Sequence, residues 1–371
     1  MIRRSGMEPV RVAQVVGKMV NGGVEAVIMN YYRNIDRSKV QFDFIVDSDS
    51  KFIPRDEIES LGGRIYIVPP YQKLGKYIPA LIKLFKQNKY QIVHSNINTL
   101  SVFPLFAAKK AGVPIRIAHS HSTAAKGETK KNILKYILRP FSKVFATHYV
   151  ACSEYAGEWL FGKKAMESGK VTIFNNAIDL KKFKFDENVR NEVRKELGIE
   201  DKFVIGHVGR LCFQKNQEFL IDIFEEVHRR DPNSVLLLIG DGEDREKIEN
   251  RIKDIHGVFL LGNRNDVDRM YQAMDVFVLP SKYEGLPVVG VEAQASGLQC
   301  ILSDRMTSET NMSTNVCFLS IDKGVRIWTD EILKHKNNDR KETTDVIREN
   351  GFDISQQGNR LVDYYFELIG E

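Results

Sequence analysis

Thirteen short apolar runs, rich in β-branched residues and none longer than six, punctuate the chain, with helical stretches between them. That alternation predicts parallel sheets, because a parallel neighbour is reached only by a crossover that lies on a sheet face. The runs occupy residues 12–16, 42–46, 64–68, 92–94, 115–118, 149–152 and 171–174. They continue at 203–208, 235–239, 258–261, 276–279, 300–302 and 317–319. Most are apolar throughout, as strands covered on both faces must be. At 371 residues the chain exceeds one ordinary core and suits two Rossmann-like α/β domains. The polar stretch at 175–186 is the expected boundary, giving an N-terminal domain over 1–180 and a C-terminal one over 181–352. The closing segment, 353–371, carries Ile354, Leu361, Tyr364, Tyr365 and Leu368 at helical spacing and is expected to return to the first domain.

Composition narrows the class. The chain is 43% hydrophobic and 28% charged, as soluble globular proteins are. No apolar run reaches the roughly 18–20 residues that span a bilayer, and the first ten residues lack the apolar region of a secretory signal. Cys152, Cys212, Cys300 and Cys317 are scattered without CxxC spacing, which fits neither a disulfide framework nor a zinc site and suits a reducing cytoplasm. The net charge of +5 is unevenly placed: residues 1–180 carry 27 Lys+Arg against 14 Asp+Glu, net +13, and residues 181–371 carry 27 against 35, net −8. The basic half is expected to meet something anionic. Within it, Ile133, Leu134, Ile137, Leu138 and Phe141 form a helical apolar stripe flanked by Lys130, Lys131, Lys135, Arg139 and Lys143. Such a helix either rests on an anionic membrane or packs on the sheet as an ordinary crossover.

Ligands of open α/β sheets bind beyond the carboxyl ends of strands, so the residues after each run carry the functional information. After 203–208 comes Gly209-Arg210-Leu211, with Lys215 five positions beyond Arg210. A planar guanidinium and a point-charge ammonium can share one diphosphate and stabilise it as it departs. After 276–279 comes a Gly/Pro loop with Glu284, Gly285, Leu286, Pro287 and Val288, then a helix carrying Glu292. The free N–H groups of that helix start favour phosphate; Glu284 is placed to grip a sugar hydroxyl, and Glu292 to accept from both hydroxyls of a ribose. The face formed by Val288, Val291 and Ala295 is expected to pack on the sheet. Gly240-Asp241-Gly242 and Gly262-Asn263-Arg264 are further strand-end turns where a nucleotide could approach.

In the first half, Gly22 and Gly23 follow the opening strand without GxGxxG or a phosphate-loop motif. His119 and His121 end the run at 115–118. A metal there would need further ligands that no neighbouring Cys/His/Asp cluster supplies. Contact of one histidine with a reacting sugar or its acceptor is the stronger reading, against a structural, hydrogen-bonded histidine.

Together these residues resemble family 4 of the retaining glycosyltransferases of GT-B architecture, and among them the bacterial members that make capsular and extracellular polysaccharides. The likeness is densest over 203–304 and most specific in the Glu-x7-Glu pair, Glu284 and Glu292, in its Glu-Gly-Leu-Pro setting. It implies two Rossmann-like domains whose parallel sheets face a central cleft. By this resemblance Arg210 and Lys215 hold the diphosphate of a nucleotide sugar; a UDP-sugar is expected in preference to a GDP-sugar. Glu284 contacts the sugar, Glu292 the ribose, the backbone of Leu286–Val288 the phosphates, and Gly262 to Arg264 the base. Gly22, Gly23 and the histidines match acceptor-side positions. The resemblance further implies metal-independent, retaining transfer, with no cofactor beyond the nucleotide-sugar substrate. The expected acceptor is a glycan or a lipid-pyrophosphate-linked saccharide and not nucleic acid, and the cysteine usage with the basic first half makes a cytoplasmic enzyme docked at the inner membrane face the working expectation. One departure is Asn176-Ala177-Ile178-Asp179, where the family carries Asn-Gly-Val-Asp. The competing readings are a sugar-nucleotide epimerase or phosphorylase on the same fold, and a basic polyanion-binding protein, which leaves Arg210, Lys215, Glu284 and Glu292 unexplained.

Overall fold

In a computed structural model of the chain, the described residues are 8–20, 22–121 and 129–370, without the side chains of 129–132. They divide into two compact units, one of residues 1–177 with 354–371 and the other of 178–353.

The first unit is built on a parallel sheet of seven strands: β1 (Val10–Gly17), β2 (Val40–Asp47), β3 (Arg64–Val68), β4 (Ile92–Ser95), β5 (Ile115–Ser120), β6 (His148–Ala151) and β7 (Val171–Ile173). Their order is β3-β2-β1-β4-β5-β6-β7, so the winding direction reverses between β1 and β4. β2 is buried along its whole length. That explains its run of Phe42, Phe44, Ile45 and Val46, since each such side chain removed from water contributes about 1.5–3 kcal/mol. The closing helix Ile354–Ile369 packs against the helix Gly23–Asn34, burying Leu361, Val362 and Tyr365.

The second unit has six parallel strands: β8 (Phe203–Val208), β9 (Ser234–Ile239), β10 (Val258–Gly262), β11 (Val276–Leu279), β12 (Gln299–Ser303) and β13 (Val316–Leu319). They are ordered β10-β9-β8-β11-β12-β13, with the reversal between β8 and β11. Apolar clusters cover both faces of this sheet. Asp275, just before β11, anchors the helix Glu187–Leu197 by accepting from Arg190 and Arg194 at 2.5 and 2.7 Å, and it accepts from the Val204 amide as well.

One packing expectation is corrected. The helix Val288–Ala295 has no single apolar face; Val291 and Ala295 pack with Ile178, Leu180, Ile347 and Phe352, while Ala293 and Val289 join the sheet cluster. A helix buried on two sides needs apolar residues on both. The basic helix Thr129–Leu138 also differs from an ordinary crossover: Ile133, Tyr136 and Ile137 are more than half exposed, as is Phe141 in the following turn, and only Leu138 of the stripe is buried. The side chains of Lys130 and Lys131 lie outside the described residues. Among the described residues no helix is long and apolar enough to cross a membrane.

Candidate functional site

In the second unit the reversal between β8 and β11 brings two loops together. The loop after β8 is laced to the loop after β11: the Gln214 amide donates to the Tyr283 carbonyl at 3.0 Å, Asn216 Nδ2 to the Pro280 carbonyl at 3.1 Å, and the Lys282 N–H to the Gln214 carbonyl at 2.8 Å. These bonds seat Lys215 Nζ 2.6 Å from Glu284 Oε1, with the two side chains only 14% and 9% exposed. Ser281 donates to the same carboxylate at 3.1 Å. The Lys215 stem lies over Gly209, where a Cβ would stand 3.2 Å from Lys215 Cε.

Below the loops, buried His207 spans the two strands. It bonds the Val278 carbonyl through Nδ1 at 2.9 Å, so its Nε2 accepts from Gln217 at 3.1 Å. Burial holds it neutral, at about 4. Arg210 is placed otherwise: it is 69% exposed and paired with Glu243 at 2.9 Å, away from the Lys215–Glu284 pair.

Glu292 sits one turn inside the helix Val288–Ala295, accepting from the Tyr271 hydroxyl at 2.9 Å. Burial pushes its carboxyl up to about 7, against the opposing pull of that hydrogen bond. At the end of β10, Gly262 begins the turn to Asn263 and Arg264, and the Arg264 guanidinium is held by both oxygens of Asp266 at 2.8 and 2.7 Å.

The turn Gly240-Asp241-Gly242 is more than generic. Gly240 has φ +133°, and a Cβ there would stand 2.1 Å from the Gly209 carbonyl oxygen, so the β8 and β9 ends touch backbone to backbone. Gly240→Ala is expected to cost roughly 3 kcal/mol, seen as a lower midpoint of thermal unfolding. An unchanged midpoint would mean the loop yields freely.

In the first unit the corresponding reversal gathers a different set. Gly22 precedes the helix that starts at Gly23, and the Glu25 carboxylate accepts from the Val20 N–H at 2.8 Å; Asn21 lies outside the described residues. These glycines line a cavity of about 330 Å3 with Lys18, Asp47, Tyr71 and Asn98. Asp47, at the end of β2, is pushed up to about 6 by burial and then by Asp49.

His119 stacks on His121, with ring centroids 3.8 Å apart, and its Nδ1 lies 3.0 Å from Nε2 of His94. His94 in turn meets the Tyr365 hydroxyl at 2.7 Å. Burial lowers all three histidines, His94 and His121 to about 3. The rings stack rather than converge, and among the described residues no His/Cys/Asp/Glu group is arranged to hold a metal ion.

Sequence reasoning missed His94, Tyr365, Gln14, Asn96, Tyr271 and His207. The available signal was positional: His94 is next to last in β4 as His119 is in β5, and adjacent parallel strands bring such residues near one another.

Residues 189–341 match the family model described as Glycosyl transferases group 1, and residues 21–182 match that of Glycosyltransferase Family 4. The Bacillus subtilis (strain 168) protein EpsF, named as a glycosyltransferase, is 34% identical over 371 residues, covering 96% of each chain. An Escherichia coli UDP-Gal:alpha-D-GlcNAc-diphosphoundecaprenol alpha-1,3-galactosyltransferase is 29% identical over 79% of this chain and 80% of its own. The crystal structure of Anabaena Alr3699/HepE in complex with UDP superposes with a TM-score of 0.76 at 17% identity, over 97% of this chain and 100% of that one. At that identity the likeness is one of fold.

Proposed function

The chain belongs to the family 4, group 1 glycosyltransferases, and on that premise we propose that its second unit binds a UDP-sugar, whose sugar the enzyme transfers with retention of anomeric configuration and without a metal ion. The acceptor is a glycan or a lipid-pyrophosphate-linked saccharide taken by the first unit, in the assembly of a capsular or extracellular polysaccharide. The observation that carries this is the buried Lys215–Glu284 pair at the sheet reversal. A lysine and a carboxylate held this close, largely out of water, form a site with one group for phosphate and one for a hydroxyl.

Each residue then has a task. Lys215 takes the diphosphate, and Arg210 joins it on leaving Glu243. Glu284 accepts from a sugar hydroxyl and Glu292 from the ribose, while Gly285, Leu286 and Val288 bring backbone N–H groups to the phosphates and Pro287, which has no N–H, holds the turn into the helix. Gly262, Asn263 and Arg264 border the base. The bond from the anomeric carbon to the phosphate oxygen breaks as the acceptor oxygen bonds that carbon from the same face. The acceptor's proton passes to the departing phosphate, whose charge Lys215 stabilises most in the transition state. His119 or His121 meets the reacting sugar or the acceptor. No observation favours the epimerase, phosphorylase or polyanion-binding readings.

Titration calorimetry with UDP, GDP and ADP in chelator tests the donor site. Micromolar-range binding of UDP, lost in the Arg210→Ala, Lys215→Ala double variant, is expected. A folded protein that binds none of the three nucleotides would refute the donor assignment.

The same reading places the first unit at an anionic membrane surface. The exposed Ile133, Ile137 and Phe141 beside Lys135, Arg139 and Lys143 support it, as apolar insertion and about 1 kcal/mol per basic residue near the surface act together. Ile133→Glu with Ile137→Glu is expected to reduce sedimentation with phosphatidylglycerol vesicles at least tenfold while leaving UDP affinity unchanged. Equal sedimentation of variant and wild type would remove the membrane from the proposal.

A further inference from the structure

The hydrogen bonds around the paired histidines have one consistent direction, and a single backbone carbonyl sets it. Asn96 Nδ2 lies 3.4 Å from the His94 carbonyl oxygen, which can only accept, so this end of the Asn96 amide is its NH2 group. The same NH2 donates to Gln14 Oε1 at 2.9 Å, which turns the Gln14 NH2 toward Tyr365, where it donates to the hydroxyl oxygen at 2.9 Å. The Tyr365 proton is thereby left for His94 Nδ1 at 2.7 Å. With Nδ1 accepting, neutral His94 carries its proton on Nε2 and donates it to His119 Nδ1 at 3.0 Å. His119 must then carry its own proton on Nε2.

The other end of the Asn96 amide is its oxygen, 3.1 Å from His121 Nε2. His121 therefore donates from Nε2 and keeps a lone pair on Nδ1. The two atoms left over, His119 Nε2 and His121 Nδ1, are both buried and have no partner among the described residues.

We infer that Tyr365, from the closing helix, and Gln14, Asn96 and His94 are positioning residues that fix opposite polarities on the stacked pair, a hydrogen-bond donor at His119 Nε2 and an acceptor at His121 Nδ1. Saccharide hydroxyls can answer both, one accepting from His119 Nε2 and one donating to His121 Nδ1. A carboxylate answers only His119, and an ammonium only His121. The pair thus selects a saccharide hydroxyl. This selectivity rests on the proposed transferase function, whereas the tautomers stand independently of it. Burial adds to the effect by keeping all three rings neutral, since a protonated ring would have no acceptor.

Long-range 1H–15N correlation spectra of the 15N-histidine-labelled full chain, assigned with single His→Gln variants, read the tautomers directly. The expected result is an Nε2-bound proton on His94, His119 and His121 alike. In Tyr365→Phe, His94 Nδ1 should move to the position of a non-hydrogen-bonded acceptor. His121 should stay where it is, because its branch through Asn96 does not pass through Tyr365. With a UDP-sugar and acceptor, the same variant is expected to lose about tenfold in kcat with UDP affinity within twofold of wild type, as loss of one aligning hydrogen bond implies. An Nδ1-bound proton on His119 in the wild type overturns the inference. So does a Tyr365→Phe spectrum in which His121 moves as far as His94, which would mark a merely structural contact. Absence of UDP binding with the expected tautomers present would count against the transferase reading alone.

Discussion

Lys215→Ala is expected to weaken UDP binding about 100-fold or more, and to lower kcat/KM further still. Lys215 and Glu284 are both largely removed from water, and their 2.6 Å contact compensates the desolvation of each. A charged hydrogen bond to a diphosphate contributes about 1.5–3 kcal/mol, and truncating one partner of a buried charge pair costs about 2–5 kcal/mol. The single variant is therefore expected to lose stability as well as binding, because Glu284 stays buried without its counter-charge. Adding Glu284→Gln separates the two effects. The double variant should recover most of the thermal midpoint, since a neutral amide replaces the stranded carboxylate, and should still fail to bind UDP. Calorimetry beside thermal unfolding reads both. Wild-type UDP affinity in a folded Lys215→Ala protein would mean that the diphosphate lies elsewhere.

Glu292→Gln should make the protein more stable at pH 8 and less able to bind nucleotide. Burial pushes the Glu292 carboxyl up to about 7, against about 4.3 in an unfolded chain. Between those values the folded protein keeps a proton that the unfolded chain has released, so stability falls as pH rises. The contribution is fully present below the unfolded value and is lost as pH rises through about 7. A shift of this size corresponds to roughly 4 kcal/mol. The glutamine variant escapes it, so its advantage should be largest at pH 8, shrink steadily toward pH 5 and vanish only below about pH 4. Asp47, pushed up to about 6, titrates in both proteins and drops out of the difference.

Binding should run the other way. Ribose hydroxyls donate to the ionised carboxylate, so wild-type UDP affinity should rise from pH 6 to pH 8, while the variant stays flat and roughly 10–100-fold weaker at pH 8, as loss of hydrogen bonds to a charged group implies. Denaturant unfolding and calorimetry across pH 5–8 check both trends. A variant no more stable than wild type at pH 8 would mean that Glu292 is not held as an uncompensated buried acid.

Much of the second unit's site could be read in the chain, because its parts are local. Gly209 through Lys215 is one strand–loop segment, and Glu284 through Glu292 is another. The chemistry proposed for them rests on glycine turns, a helix start and two carboxylates eight positions apart. Arg210 shows the limit: spacing grouped it with Lys215, but the loop sends its side chain outward to Glu243. The histidine set of the first unit lay beyond sequence reasoning. Gln14, His94, Asn96, His119 and Tyr365 are spread across the length of the chain and share no motif, and their tautomers depend on which amide end meets the His94 carbonyl.

The thirteen strands were legible because burial on both faces demands unbroken apolar runs, and that demand is met residue by residue along the chain. The order of the strands, with its reversals between β1 and β4 and between β8 and β11, belongs to tertiary structure, as does the raised proton affinity of Glu292. Both depend on which distant segments pack together. A carboxylate or an imidazole acquires its proton affinity and its hydrogen-bonding direction from neighbours in space, and only the folded chain selects those neighbours.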